Sequence, residues 1–200
     1  MSENDTIRPI SKQVLSDNWG TLSKHSFEYR HRSGAWQHQR REVYDRGNGA
    51  TCLLYNPDTG CVLLTRQFRL PVFLNGGRES MIETPAGLLE GAEPATRMRA
   101  ELIEETGFQI DALTHLFDIY MSPGSVTEYL AFFKGTYSFD NQTGDGGGVF
   151  AEGEDIEVLH MPLREAMDMI TRGEICDAKT VILIQNLMIE TLQTAQKQTA

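Results

Sequence analysis

The sequence predicts an α+β fold in which strands dominate the middle of the chain. Three observations carry this. The apolar runs ATCLLY and CVLLTRQFRL flank NPDTG, whose proline, aspartate and glycine suit a tight hairpin turn. The segment from Pro94 to Thr106 repeats apolar residues at helical spacing between recognisable start and stop residues. Near the end, PLREAMDMITRG and KTVILIQNLMIETLQ read as two more helices.

Taken in order, residues 1–18 read as a leading segment without assigned structure. Between Gly20 and Tyr44, SFEYRHR and REVY suggest two strands around the turn SGAW, a small sheet able to stand apart from the core. After the hairpin, PVFLNGGRES reads as a loop and MIETPA as a short strand. Pro94 suits the first turn of the following helix, Glu90 and Glu93 favour its positive end, and Gly107 can close it. Ala95, Met98 and Leu102 share one stripe and read as core. Strands follow at about 113–121 and 127–137. SFDNQTGDGGGVFAEG is a long polar glycine-rich loop, of a length that suits either function or plain disorder. IEVLHM is a short strand before the final helices, the second of which is apolar enough to be buried.

Composition narrows the function. For 200 residues, surface scaling gives a folded area of roughly 9,500 Å² against roughly 33,000 Å² extended, so about 70% of the surface can be buried. With 40% apolar and 23% charged residues, extended disorder, collagen and coiled coil are excluded. The net charge of −10 repels nucleic-acid backbones and anionic membranes, so neither is an expected partner. A small anionic substrate is compatible if a metal or a few arginines reverse the field in the pocket. Cys52, Cys61 and Cys176 fit no zinc spacing and the five histidines are scattered, which predicts a reducing compartment and no structural zinc. MSENDTIRPISK lacks the apolar core of a signal peptide and no run approaches membrane-spanning length. The expected location is the cytoplasm.

The chemical signal lies between Gly87 and Phe108. Glu101, Glu104 and Glu105 stand at i, i+3 and i+4, so three carboxylates share one helical face. Such a cluster is either a solvated acidic face or a site for a hard divalent cation, because magnesium prefers carboxylate oxygens. Gly87 allows a sharp turn that brings a backbone carbonyl near the helix.

This segment resembles the signature box of the Nudix hydrolases. Gly87 and Glu93 match its front; Glu101, Leu102, Glu104, Glu105, Gly107 and Phe108 match its back. It departs from the pattern twice: the gap after Glu93 is one residue short, and Ala100 stands where an arginine normally helps hold the helix acids, a role open to Arg97 or Arg99. Further strings, REVYDRGNGATCLLY, TRQFR, PAGLLEGAEP, EETG, YMSPGSVTE, EGEDIEV and GEICDAKTV, are similar to the nucleoside-diphosphate-sugar branch, above all to its bacterial members that cleave GDP-mannose. The likeness runs from Leu15 to Leu192.

The resemblance implies an α/β/α sandwich with a mixed sheet over residues 46–200. It also implies an N-terminal antiparallel sheet over 1–45 that completes the partner's active site in a homodimer. It implies Mg²⁺, with Mn²⁺ as a substitute, held by Glu101, Glu105, Glu154 and the backbone carbonyl of Ala86, with Glu104 a third helix ligand or an outer acid. Catalysis falls to Glu105 with Glu152 or Glu154, either of which can take a proton from water. Arg69, otherwise a strand-end arginine, becomes a diphosphate clamp. Ala86, Gly87 and Leu88 line the substrate, and Lys179 lies near its sugar or phosphate. From the N-terminal segment, Arg40, Arg41 and Glu42 contact nucleotide or sugar, or else form a salt-laced outer strand. Trp19 stacks on a purine or packs at the dimer seam. Glu128, at the start of a strand, positions substrate or water.

The implied reaction is water attack on the diphosphate of a GDP-hexose, GDP-mannose first, giving GMP and a hexose 1-phosphate. ADP-ribose is the rival substrate, and YDRGNGA and SPGSVTE favour the GDP sugar. Ala100 and the shortened box leave a non-catalytic nucleotide-binding module as the reading from another class, against which Glu101, Glu105 and Glu154 stand.

Overall fold

The computed structural model describes residues 6–198, apart from the side chains of Glu152 and Gln198. Backbone contacts divide the chain into two units. One comprises the residues up to Asn48 with Tyr120–Tyr129, the other Gly49–Ile119 with Leu130 onward.

The first unit is a three-stranded antiparallel sheet of β1 (Ile7–Asp17), β2 (Thr21–Arg30) and β3 (Trp36–Asp45), in that order. The leading segment is therefore mostly strand. It pairs with β2 from Ile7↔Tyr29 to Asp17↔Thr21, with irregularities at Pro9/Ser11 and Val14/Ser16. Every β1 residue is exposed, so no buried alternation marked it in the sequence, and its edge position tolerates Pro9. The expected β2–β3 hairpin turns through His31–Ala35, with Gly34 at φ 87°. Tyr44 bridges Val126 in parallel, tying Tyr120–Tyr129 to β3.

The second unit holds a mixed sheet. Its strands are β4 (Gly49–Asn56), β5 (Cys61–Gln67), β6 (Met81–Glu83), β7 (Ala86–Leu88), β8 (Thr114–Tyr120), β9 (Tyr129–Thr136) and β10 (Glu157–Pro162). The order is β10-β5-β4-β9-β8, with β6 on β5 and β7 on β4. β4 runs parallel to β9 and antiparallel to β5. The predicted hairpin closes at Asn56, whose side-chain oxygen accepts from the amides of Asp58 at 2.9 Å and Thr59 at 3.2 Å.

On one face of the sheet, Ala50, Cys52, Leu54 and Leu63 pack with Met98, Leu102 and Phe108 into the core. Met98 belongs to α2 (Pro94–Glu101), and Leu102 and Phe108 to the residues just beyond its end. α4 (Ala178–Gln198) packs on β4 from the other side, burying Leu183 and Ile184 and leaving a cavity of about 330 Å³ lined by Leu53, Tyr55 and Leu187 among others. α3 (Leu163–Thr171) packs against α4 and β10. The sheet between helices is the α+β sandwich that the sequence predicts.

Three local expectations change. PVFLNGGRES contains a one-turn helix, α1 (Leu70–Leu74), begun with Pro71 in its first turn. The expected single helix to Thr106 is α-helical only to Glu101, and Leu102–Thr106 form a π-helical turn. That turn is held in part by the Thr106 hydroxyl donating to the Leu102 carbonyl. The glycine-rich segment is ordered against the end of this helix. The amides of Gly147 and Gly148 donate to the carbonyls of Glu105 and Glu104, each at 3.0 Å.

Candidate active site

The helix that carries the acids starts as its sequence demands. Glu93 caps it by accepting from the amides of Ala95 at 3.0 Å and Thr96 at 2.8 Å. At its far end the π-turn sets Glu105 among backbone and acids. Glu105 is 2% exposed and accepts a hydrogen bond from the Ala86 amide at 3.2 Å. Burial first, then the negative charges of Glu101 and Glu154, push its pKa up to about 8. Glu101 is also buried, directly against the Gly87 backbone, and a Cβ at position 87 would overlap its carboxylate. Glycine is therefore required by close approach.

The glycine-rich loop delivers Glu154. Its Oε2 accepts from the Val149 amide at 2.8 Å, and a side chain at Gly148 would strike that oxygen at 2.6 Å. The backbone of Glu152 lies in the same short turn, while its side chain is outside the described structure. Ala100 brings no charge, and Arg97 provides the missing contact one turn earlier. Its Nη2 lies 2.6 Å from Glu101 Oε1, its Nη1 3.5 Å from Glu104 Oε2, and its Nε donates to the Leu88 carbonyl at 3.2 Å. Arg99 instead donates to the Asp111 carbonyl at 3.0 Å. Among the described residues, no three His, Cys, Asp or Glu side chains stand together as a group that could hold a metal ion as they are placed. The donors are nonetheless of the right kind. Glu101 and Glu154 stand close enough to Glu105 to push its pKa up, and two of the three are buried, an acid cluster that suits a hard divalent cation.

Beside the acids lies a pair of cations. Arg69 feels the charge of Glu105, and its guanidinium grips Glu83: Nε lies 3.0 Å from Oε2 and 3.2 Å from Oε1, and Nη2 lies 2.7 Å from Oε2. Burial works to lower the pKa of Arg69, but the Glu83 hydrogen bonds and the surrounding acids outweigh it and leave the pKa raised. Lys179 is not a solvated helix residue. It is buried, with Nζ 3.0 Å from Asp177 Oδ2 and 3.5 Å from Glu83 Oε2. Asp177 Oδ2 also accepts from the Thr180 amide at 3.0 Å, and the hydroxyls of Thr180, Thr84 and Thr51 form a buried chain that braces the segment leading to Ala86.

The N-terminal candidates occupy the first unit. Arg40, Arg41 and Glu42 are exposed on β3 opposite Ser26, His25 and Lys24. Trp19 is 69% exposed, with the Arg46 guanidinium 5.4 Å from its ring centre. Glu128 is 6% exposed just before β9, with Oε1 2.7 Å from Arg46 Nη2. Sequence reasoning missed Arg46, Glu83, Arg97 as a settled contact, and Asp177. An acid inside the short apolar strand MIE was the available signal for Glu83; the others had none apart from their partners.

The NUDIX domain profile matches residues 45–183. The chain belongs to the Nudix family. A second profile, the GDP-mannose pyrophosphatase NudK N-terminal domain, matches residues 6–44. Among curated relatives of this Nudix chain, a GDP-mannose pyrophosphatase of Pectobacterium atrosepticum is 48% identical over 181 residues, covering 90% of this chain and 93% of the relative. Proteins of the same name from Salmonella arizonae (47% identical; 94% and 96% covered) and Shigella flexneri (47%; 93% and 97%) are similar over the same extent. No helix among the described residues is long and apolar enough to cross a membrane.

Proposed function

We propose that this Nudix chain hydrolyses the diphosphate bond of GDP-mannose to GMP and mannose 1-phosphate, using Mg²⁺ with Mn²⁺ as a substitute, as a cytoplasmic homodimer with shared active sites. The observation that carries the reading is the gathering of Glu101, Glu105 and Glu154 beside Arg69, in a chain about half identical to proteins named for that reaction.

Glu101, Glu105, Glu154 and the Ala86 carbonyl would hold the ion, with Glu104 as a further ligand or an outer acid. When bound, it lowers the pKa of a water and neutralises the diphosphate. Arg69 holds phosphate oxygens, and Lys179 sets the positive field behind it. Ala86, Gly87 and Leu88 offer backbone to the substrate. The base is Glu152 or Glu154, two residues apart at the end of the glycine-rich loop. Residues 6–44 supply Trp19, Arg40, Arg41 and Glu42 to the partner's nucleotide or sugar, and Glu128 positions substrate or water.

Side-by-side assay of GDP-mannose and ADP-ribose, with and without Mg²⁺, tests the proposal. Magnesium-dependent GMP and mannose 1-phosphate, with weaker ADP-ribose cleavage, is the expected result. Preferred ADP-ribose cleavage would reassign the substrate, and no turnover by a folded dimer would leave a non-catalytic nucleotide binder.

A further inference from the structure

Glu83 is the acid on which Arg69 and Lys179 both converge. It is 3% exposed, at the end of β6, and its backbone carbonyl accepts from the Thr65 hydroxyl at 3.3 Å. The next residue is pinned as well, the Thr84 amide donating to Thr180 Oγ1 at 2.7 Å. The carboxylate therefore hangs from a rigid support. It takes Arg69 along the edge formed by Nε and Nη2 and stands 3.5 Å from Lys179 Nζ.

A planar guanidinium held by that edge turns its Nη1 end away from the carboxylate. The Arg69 side chain is 39% exposed although Glu83 is buried. One edge is thus anchored and the other is available. Without Glu83, Arg69 would regain its rotamers, and Lys179 would keep Asp177 as its ion-pair partner, with Asp177 and Glu105 still acting on Arg69 by charge.

We propose that Glu83 is a positioning residue for diphosphate capture, fixing the plane of Arg69 and the separation of Arg69 from Lys179 so that a phosphate oxygen pair meets a prearranged fork. This rests on the reading of Arg69 as the diphosphate clamp. It assigns Glu83 no contact with substrate; Glu83 acts through Arg69.

The test uses the full chain and two readouts, the Kd for GDP by calorimetry and the KM and kcat for GDP-mannose. Glu83→Gln keeps the shape and removes the charge, and is expected to raise Kd and KM on the order of tenfold with a smaller change in kcat. Glu83→Asp keeps the charge but withdraws it by one methylene, and should fall between; it decides the matter if Glu83→Gln does not fold. In the double variant with Arg69→Ala, the loss should be no greater than for Arg69→Ala alone. Glu83 variants that lower Tm but bind GDP like the parent, while Arg69→Ala binds weakly, would overturn the proposal and keep the clamp. Unchanged binding by Arg69→Ala would instead overturn the clamp, and the role of Glu83 with it.

Discussion

Glu105 is a buried acid whose nearest charged neighbours include two more acids, and this has a sign that can be measured. Its pKa rises from 4.5 to about 8 in the folded chain without metal. Between those values the folded state keeps a proton that the unfolded state has released, so raising the pH favours unfolding. Metal-free protein should lose stability, on the order of a few kcal/mol, from pH 4.5 through about 8. Denaturant melts in EDTA across that range check this; Glu105→Gln should remove that part of the slope. Because metal must displace the same proton, Mn²⁺ affinity should climb over the same window and level off above it. Arg97 belongs to this scale too. It ties Glu101, Glu104 and the Leu88 carbonyl together, and Arg97→Gln leaves two acids without that cation. Mn²⁺ affinity by electron paramagnetic resonance should fall by roughly 10- to 100-fold. An unchanged affinity would mean that the helix alone sets the acids.

At the scale of elements, the glycine-rich loop behaves as a part of the helix end. Gly146 has φ 68°, and a Cβ there would meet the Glu105 carbonyl oxygen at 2.6 Å and Thr106 Cα at 2.7 Å. Gly153, at φ 78°, faces open space. Gly153→Ala should therefore cost about 1 kcal/mol of backbone strain alone. Gly146→Ala adds a backbone clash, and should lower Tm further and reduce turnover by moving Glu154. Equal effects on Tm would show that the loop does not rest on the helix. Elements were legible where local chemistry dictates them: Asn56, Asp58 and Gly60 turn the hairpin, and Glu93 with Pro94 starts the helix. The π-turn was not, because its hydrogen bonding has no residue signature, nor was β1, whose exposed face has no alternation. In the site, Glu101, Glu104, Glu105 and Glu154 were visible in the sequence through their spacing and family likeness. The partners that hold the cations were not, since Glu83 is 14 residues from Arg69 and 96 from Lys179, separations closed by the pairing of β6 with β5 and by the start of α4.

For the whole molecule, the proposed homodimer with shared sites turns on whether N-terminal residues reach a site and from which copy. On β1, Ile7, Ile10, Val14 and Leu15 are 40–57% exposed, and an edge strand carrying apolar residues in this way needs cover. A second copy is the cover proposed, and light scattering should give twice the chain mass. Complementation goes further. A Glu105→Gln chain has a defective core and a sound N-terminal sheet; an Arg40→Ala/Arg41→Ala chain has the reverse. If each site draws its core and its sheet from different copies, a mixed dimer contains one site with both parts intact and one with neither. After unfolding and random reassociation half the dimers are mixed, so about one quarter of parental activity should return. If each chain completes its own site, every site keeps one defect whatever its partner, and mixing restores nothing. Activity near one quarter therefore establishes exchange of residues between copies, while no recovery, in a preparation shown to contain mixed dimers, would mean that each chain completes its own site; an Arg40→Ala/Arg41→Ala chain that keeps full activity by itself would confine the sheet to a role in assembly.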